Sequence, residues 1–289
     1  MAAAPPAADT PARAPGPTRL WTFVPSRPPF IGRLSRAKSA LTGWGPPPLH
    51  QVLRPPDPAT RWNCYFLYLP SGQLTPAHLY TLDRLRALPG KLLAICATPQ
   101  PASVPAALAD ADALIWKGLS GYDFSAYALA LRAIASGSPG ADLFVMNDSV
   151  LGPFADLDRL FASAPWALTG FTASAMFENH IQSYAFLLRG VTGETVRALD
   201  QVMPAHRACD RYRDVVNLQE TRFARFAARR MSVGALWHAN DGSDPSLDAA
   251  AWLLGQGFPF LKRSLLGRYA RLQDEAALTA FLVAQDHPR

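Results

Sequence analysis

The 289-residue chain is 49% hydrophobic and 17% charged, which suits one large globular domain or two small ones and excludes a wholly disordered chain. Five of its six net positive charges fall in residues 1–60, where seven basic side chains meet only Asp9 and Asp57; the remainder shows no basic patch interleaved with aromatics, so no nucleic-acid partner is expected. Cys64, Cys96 and Cys209 lack C-x-x-C spacing and the six histidines form no ligand cluster, which argues for reduced thiols and against structural zinc.

No apolar run reaches about 18 residues, so no membrane-spanning helix is expected. The first residues lack the basic-then-apolar order of a signal peptide, and the expected location is cytoplasmic.

Residues 1–60 hold 14 of the 27 prolines, with Ala, Arg and Gly making up much of the rest. Such a segment buries too little apolar surface to offset ordering entropy, so it reads as a largely disordered arm, with the folded domain spanning 61–289. Leu20–Val24 and Ile31–Trp44 are exceptions, apolar enough to dock on the domain or on a partner. The Arg-rich, Trp-containing arm also suits peripheral contact with anionic lipid at the inner membrane, against a solvated tail as the rival reading.

From Arg61 the texture changes. Trp62–Leu69 reads as a strand, 75–88 as a helix, Lys91–Ala97 and Ala113–Trp116 as strands, and Phe124–Ala135 as a helix ending at Gly137. Leu143–Met146 is the fourth strand of this series. A helix near 155–163, a strand within Trp166–Phe171, a strand over His180–Leu188, helices near 191–200 and 213–230, and a strand over Val233–His238 follow. The closing part is helical, with a break at Gly257-Phe-Pro-Phe260. Strands alternating with helices predict βαβ units and a mainly parallel α/β sheet.

Two loops carry the chemistry. In Leu143-Phe-Val-Met-Asn-Asp-Ser149 an apolar strand ends in Asn147, Asp148 and Ser149, past the carboxyl edge where open α/β sheets hold ligands. Hard oxygen donors there suit a divalent cation or a nucleotide-sugar; an Asx turn that merely ends the strand is the ordinary alternative. Between the third strand and the next helix, Gly118 and Gly121 allow close approach of a ligand to the backbone, and the helix N-terminus offers N–H groups to an anion. Asp123 sits where a cap would or could hold a sugar or ribose hydroxyl, and Tyr122 offers a stacking face. His180 and Gln182 share strand parity and face one side, as hydroxyl-binding groups or as a hydrogen-bonded core pair. No Walker-type loop and no G-x-G-x-x-G after a strand occur.

Four motifs appear in order: Gly121-Tyr-Asp-Phe-x-x-Tyr127, Asn147-Asp-Ser-Val-x-Gly-Pro153, His180-x-Gln-Ser-Tyr-x-Phe186 and Gly257-Phe-Pro-Phe-Leu-Lys-Arg-x-Leu-Leu266. Over about residues 61–269 the chain resembles the rhamnan synthesis F family of bacterial polysaccharide glycosyltransferases. The resemblance implies a GT-A-type fold, a Rossmann-like sheet that binds a nucleotide-diphospho-sugar, with activated rhamnose the leading candidate donor. It implies a saccharide or lipid-linked saccharide acceptor in surface polysaccharide or lipopolysaccharide synthesis. Asn147-Asp148-Ser149 stands where such folds carry a D-x-D element, so Asp148 is the expected ligand of Mg²⁺ or Mn²⁺, and the first carboxylate is replaced by an amide. Gly121, Tyr122, Asp123, Asn147, Asp148, Ser149 and Lys262 are the implied donor-binding residues, His180 and Gln182 the implied acceptor or sugar contacts.

By the same resemblance Glu220 is the general base that takes the acceptor's proton. Its neighbours Arg222, Arg225, Arg229 and Arg230 offer a rival explanation, an exposed helix laced with ion pairs. A protein that keeps the fold but only binds or assembles is the alternative function, because the D-x-D element is reduced.

Overall fold

Trp62 to Leu67 are six consecutive buried residues, the pattern of a strand covered on both faces, and the sheet is built around them. The computed structural model describes residues 17–288. Their first half runs β1 (Thr18–Thr22), α1 (Phe30–Thr42), β2 (His50–Arg54), β3 (Arg61–Tyr68), α2 (Pro76–Arg86), β4 (Lys91–Ala97), β5 (Ala113–Lys117), α3 (Tyr122–Gly137) and β6 (Ala141–Asn147). Next come β7 (Val150–Leu151), α4 (Leu157–Ser163), β8 (Leu168–Ser174), β9 (His180–Ile181), β10 (Ala185–Val191) and α5 (Gly193–Leu199). A helical run of α6 (Tyr212–Val215), a π-helical turn (Val216–Glu220) and α7 (Thr221–Ala227) precedes β11 (Val233–Ala239), α8 (Pro245–Asp248), α9 (Ala250–Gly255), β12 (Leu261–Lys262) and α10 (Glu275–Ala284).

The main sheet has the order β1-β11-β8-β10-β6-β3-β4-β5-β2, with β9 paired to β8. The pairs β6·β3, β3·β4, β4·β5 and β11·β8 are parallel, whereas β1, β10 and β2 run against their neighbours. The sheet is therefore mixed but mostly parallel and is flanked by helices. Alternation along β3 sends Trp62, Cys64 and Phe66 into a core with α3, α5 and α7, and Tyr65 and Leu67 into a core with α2, α4 and α9.

Helix boundaries follow local chemistry. Thr75 accepts from the backbone N–H of His78 and Pro76 opens α2, a capping arrangement that satisfies otherwise free N–H groups. α3 buries Phe124, Tyr127, Ala128, Leu131 and Ile134, the three- and four-residue spacing of a core-facing stripe.

Two expectations are corrected and a third is refined. Residues 17–60 are not a disordered arm: β1 pairs with β11 at one end of the sheet and β2 with β5 at the other, while α1 packs on the π-helical turn between them. The segment is a strap across the domain, and composition misses it because β2 is exposed at every position and so lacks the alternation of a half-buried strand. The earlier part of the expected arm, residues 1–16, lies outside the described residues.

The strand expected over His180–Leu188 is interrupted. β9 pairs Ile181 with Ala173, whereas β10 pairs Phe186 with Gly170, so two extra residues bulge out between them. The helix expected over 213–230 forms as one continuous helical run over 212–227, with a π-helical turn inside it. Both irregularities lie at the cavity described next, where bulges and π turns re-aim side chains.

Candidate active site

β4 and β5 lie on one side of β3 and β6 on the other, so the direction of winding reverses between β3 and β6. Such a switch point leaves a crevice at the carboxyl ends of the strands. Asp148 closes its floor: its N–H donates to the Phe66 carbonyl at 3.0 Å and its Oδ2 accepts from the Tyr68 N–H at 2.9 Å. Above it opens a cavity of ≈ 620 Å³.

Asn147 organises one wall. Its Nδ2 group donates to the Tyr127 hydroxyl at 2.8 Å and to Asp123 Oδ2 at 3.2 Å. Its Oδ1 accepts from Ser149, at 3.1 Å from the N–H and 2.5 Å from the hydroxyl. The amide is thus spent inside the protein and offers nothing to a ligand.

Asp123 also accepts from the Phe124 N–H at 2.9 Å, as a first-turn carboxylate of α3, whose N-cap position is taken by Gly121 without a side-chain cap, while its other oxygen meets Asn147. Burial, then the charge of Glu220, pushes its carboxyl up to about 6, so it titrates near neutrality.

Asp148 is raised above the usual carboxylate range by burial, against the Tyr68 N–H and the Arg263 charge, which lower it. His78 lies behind it. The Thr75 N–H donates to His78 Nδ1 at 3.1 Å, so the proton sits on Nε2, 3.8 Å from Asp148 Oδ2. Burial and the Arg263 charge hold His78 down at about 4, so it faces Asp148 as a neutral ring and not as an ion-pair partner. Among the described residues no group of three His, Cys, Asp or Glu could hold a metal ion.

The Gly118–Gly121 loop is held from below. Lys117 is fully buried and donates to the carbonyls of Gly118 at 3.0 Å and Ser120 at 2.5 Å; burial lowers its ammonium to about 8. Asp210 accepts from the Gly121 N–H. Gly121 adopts φ +86 with Ser125 and Ala208 packed where a Cβ would stand, so only glycine suits the turn. Tyr122 follows with its side chain exposed at the cavity mouth.

The cavity lining also includes Glu220, at the end of the π-helical turn. Its Oε1 accepts from Ser183, 3.1 Å from the N–H and 3.0 Å from the hydroxyl, a contact created by the bulge. No ion pair involves it among the described residues: Arg225 pairs instead with Glu178, and Arg222 and Arg229 lie over the Phe226 ring. The arginine-laced helix is real, but Glu220 points away from it into the cavity.

His180 is buried and its Nδ1 lies 2.8 Å from the Glu178 carbonyl. A carbonyl only accepts, so Nδ1 carries the proton and Nε2 keeps its lone pair. Thr172 donates to Gln182 Oε1 at 2.6 Å and so receives the Tyr184 hydroxyl proton at 2.5 Å. That chain leaves the Gln182 amide donors available. Lys262, brought alongside by the β12·β7 pair, sits 4.2 Å from the centre of the Tyr184 ring.

Tyr122, Asp123, Asn147, Asp148, Ser149, His180, Gln182, Glu220 and Lys262 all line this one cavity, although they span 140 residues of sequence. Gly121 shapes it through the backbone. Tyr68, Ser183, Asp210 and Asp244 were not singled out from sequence and line it too. Tyr68 ends β3 as Asn147 ends β6, so strand position could have flagged it, whereas Ser183 depends on the bulge.

Residues 100–285 match the model of a family described as rhamnan synthesis protein F. A comparison with curated proteins finds no match. The chain belongs to the rhamnan synthesis protein F family, and with it to rhamnan or polysaccharide synthesis.

Proposed function

We propose that the protein is a glycosyltransferase that moves a sugar from a nucleotide-diphospho-sugar to a hydroxyl of a saccharide or lipid-linked saccharide. The observation that carries this reading is that Asp123, Asp148 and Glu220 line one cavity, Glu220 with no ion-pair partner among the described residues. The parallel β6-β3-β4-β5 core, with polar residues gathered at its switch point, supports a GT-A-type assignment.

Asp123 and the Gln182 amide are suited to sugar or ribose hydroxyls, and Tyr122 with Tyr68 to the faces of a base. Glu220, held by Ser183, would take the acceptor's proton as the glycosidic bond forms. His180 Nε2 is the second candidate base. The family supports activated rhamnose as the sugar, and use of nucleotide-sugars supports a cytoplasmic location.

The cavity is lined by five carboxylates, Asp123, Asp148, Asp210, Glu220 and Asp244, against one ammonium, Lys262. A diphosphate entering there needs countercharge. In the Asn147-Asp148-Ser149 element Asp148 Oδ1 and the lone pairs of the Ser149 hydroxyl, which only donates, are the side-chain oxygens left for a cation, which fits Mg²⁺ or Mn²⁺ carried in largely by phosphate and water. Such an ion would neutralise charge on the leaving diphosphate.

Calorimetry of purified protein against nucleotide-sugars, with and without Mn²⁺, together with release of nucleoside diphosphate in the presence of acceptor, tests the proposal. Binding and acceptor-dependent release support it. Binding without release favours the binding-only alternative, to which the committed amide of Asn147 lends weight. No binding to any nucleotide-sugar overturns both.

A further inference from the structure

α1 has two unlike faces. Its inner face is tied to the turn that carries Glu220: the Asn217 amide donates to Ser35 and Ser39 at 2.9 and 3.0 Å, and Arg36 donates to the Asn217 carbonyl and to Glu178. Its outer face is apolar and, among the described residues, uncovered. Phe30, Leu34, Leu41 and Ile31 are 64%, 56%, 87% and 80% exposed, and at 3.6 residues per turn they fall within an arc of about 100°. Lys38 lies inside that arc and Arg33 beside it.

Four large apolar side chains in water on one helix mark an interaction surface. The chain around them settles its chemistry. Residues 17–56 hold six basic side chains and no acidic one. Two copies meeting through α1 would bring Arg33 and Lys38 against their own kind, which opposes self-association. An apolar stripe with a basic margin is instead the composition of a helix that lies in the interface of an anionic bilayer.

The strap ahead of α1 also reaches the cavity rim. Asn179 donates to the Val24 carbonyl and to Ser26 Oγ, which sets the 58%-exposed Phe177 of the cavity lining beside the strap.

We propose that the outer face of α1 docks on an anionic phospholipid surface and presents the mouth of the cavity to it. The docking stands on α1 alone; its consequence, delivery of a membrane-borne acceptor to Glu220, rests on the glycosyltransferase reading. Co-sedimentation of the full chain with phosphatidylcholine vesicles, with and without about one quarter phosphatidylglycerol, tests it.

Binding should require the anionic lipid and weaken from about 0.1 M to about 0.5 M salt. Ile31→Glu with Leu34→Glu should reduce it by about tenfold or more, and Arg33→Glu with Lys38→Glu should act similarly. All four positions are exposed, so melting temperature and nucleotide-sugar binding should be unchanged, which separates failure of docking from failure of the proposed function. Absence of vesicle binding, or binding that the variants leave intact, overturns the proposal. So does sedimentation-velocity evidence that the same stripe joins two copies in solution.

Discussion

Asn147 Nδ2 stands 3.2 Å from Asp123 Oδ2, and this contact explains the amide at the first position of the Asn147-Asp148-Ser149 element. Asp123 already shares its surroundings with Glu220, whose charge raises it. A carboxylate at 147 would add like charge at hydrogen-bond distance and remove the donor that Asp123 and Tyr127 use. Asn147→Asp should therefore destabilise the protein near neutral pH, and lowering the pH should restore stability as the pair takes up a shared proton. Thermal melts of wild type and variant across this range measure the effect; an Asn147→Asp protein as stable as wild type at pH 7.5 would refute the organising role.

Asp123 itself gives a pH signature with two opposed signs. Its carboxyl is raised to about 6 from an ordinary 3.8. The folded state therefore binds a proton before the unfolded chain does, and stability contributed by this group rises as pH falls from about 6 towards 3.8. If the ionised carboxylate holds a sugar or ribose hydroxyl, donor affinity should instead weaken through the same window. Asp123→Asn should flatten both trends. Calorimetric affinity and melting temperature measured across this window on both proteins decide the matter, and parallel trends would remove Asp123 from the donor site.

For Asp148, two substitutions separate charge from structure. Asp148→Asn keeps an oxygen that can accept from the Tyr68 N–H but loses the charge, so Mn²⁺-dependent enhancement of donor binding should disappear while melting barely changes. Asp148→Ala also removes the acceptor of the exposed Tyr68 N–H, at a cost of about 0.5–1.5 kcal/mol. Wild-type metal dependence in the Asn variant would exclude Asp148 as a ligand, and removal of metal by chelation should mimic its loss in the native protein.

Removal of residues 1–55 should unfold or aggregate the remainder. It deletes both outer strands, uncovers the edges of β11 and β5, and takes away Phe23, which is buried in the core with α3 and α7. Unpaired strand edges template association. Circular dichroism and light scattering on the truncated protein test this, and a monomer with native melting would show the strap to be dispensable.

Legibility in the sequence tracked how local the determining physics was. Lys91–Ala97 coincides with β4 because an unbroken apolar run between a turn and a polar loop has one economical fate. Asp148 and Asp123 stood out because Asx residues just past strands or at helix starts belong to the short-range grammar of the chain. Asp210 could not be found this way: its contact with Gly121 joins positions 89 residues apart. Ser183 meets Glu220 only because β9 and β10 differ in register, and a register is a property of the partner strand. β2 was hidden because an edge strand exposed at every position buries too little to display a period, whereas the apolar Leu20–Val24 run, which overlaps β1, stood out as able to dock.

Glu220 offers the sharpest test of mechanism. Its Oε1 accepts two hydrogen bonds from Ser183, and a glutamine at 220 can accept both through its own carbonyl oxygen. Glu220→Gln thus preserves the geometry and removes the capacity to take a proton, together with the charge that raises Asp123. If Glu220 is the base, turnover should fall by about 10²–10⁴-fold, with donor affinity and melting temperature close to native, because the lost interaction belongs to the transition state. A purely structural Glu220 would show the reverse, near-native turnover with any loss appearing in melting. Ser183→Ala supplies the control: it removes one of the two donors that aim the carboxylate but leaves the base intact, so its loss of turnover should be smaller. Should Glu220→Gln retain turnover, His180, with its lone pair on Nε2, becomes the group to replace next, and His180→Gln should then carry the defect.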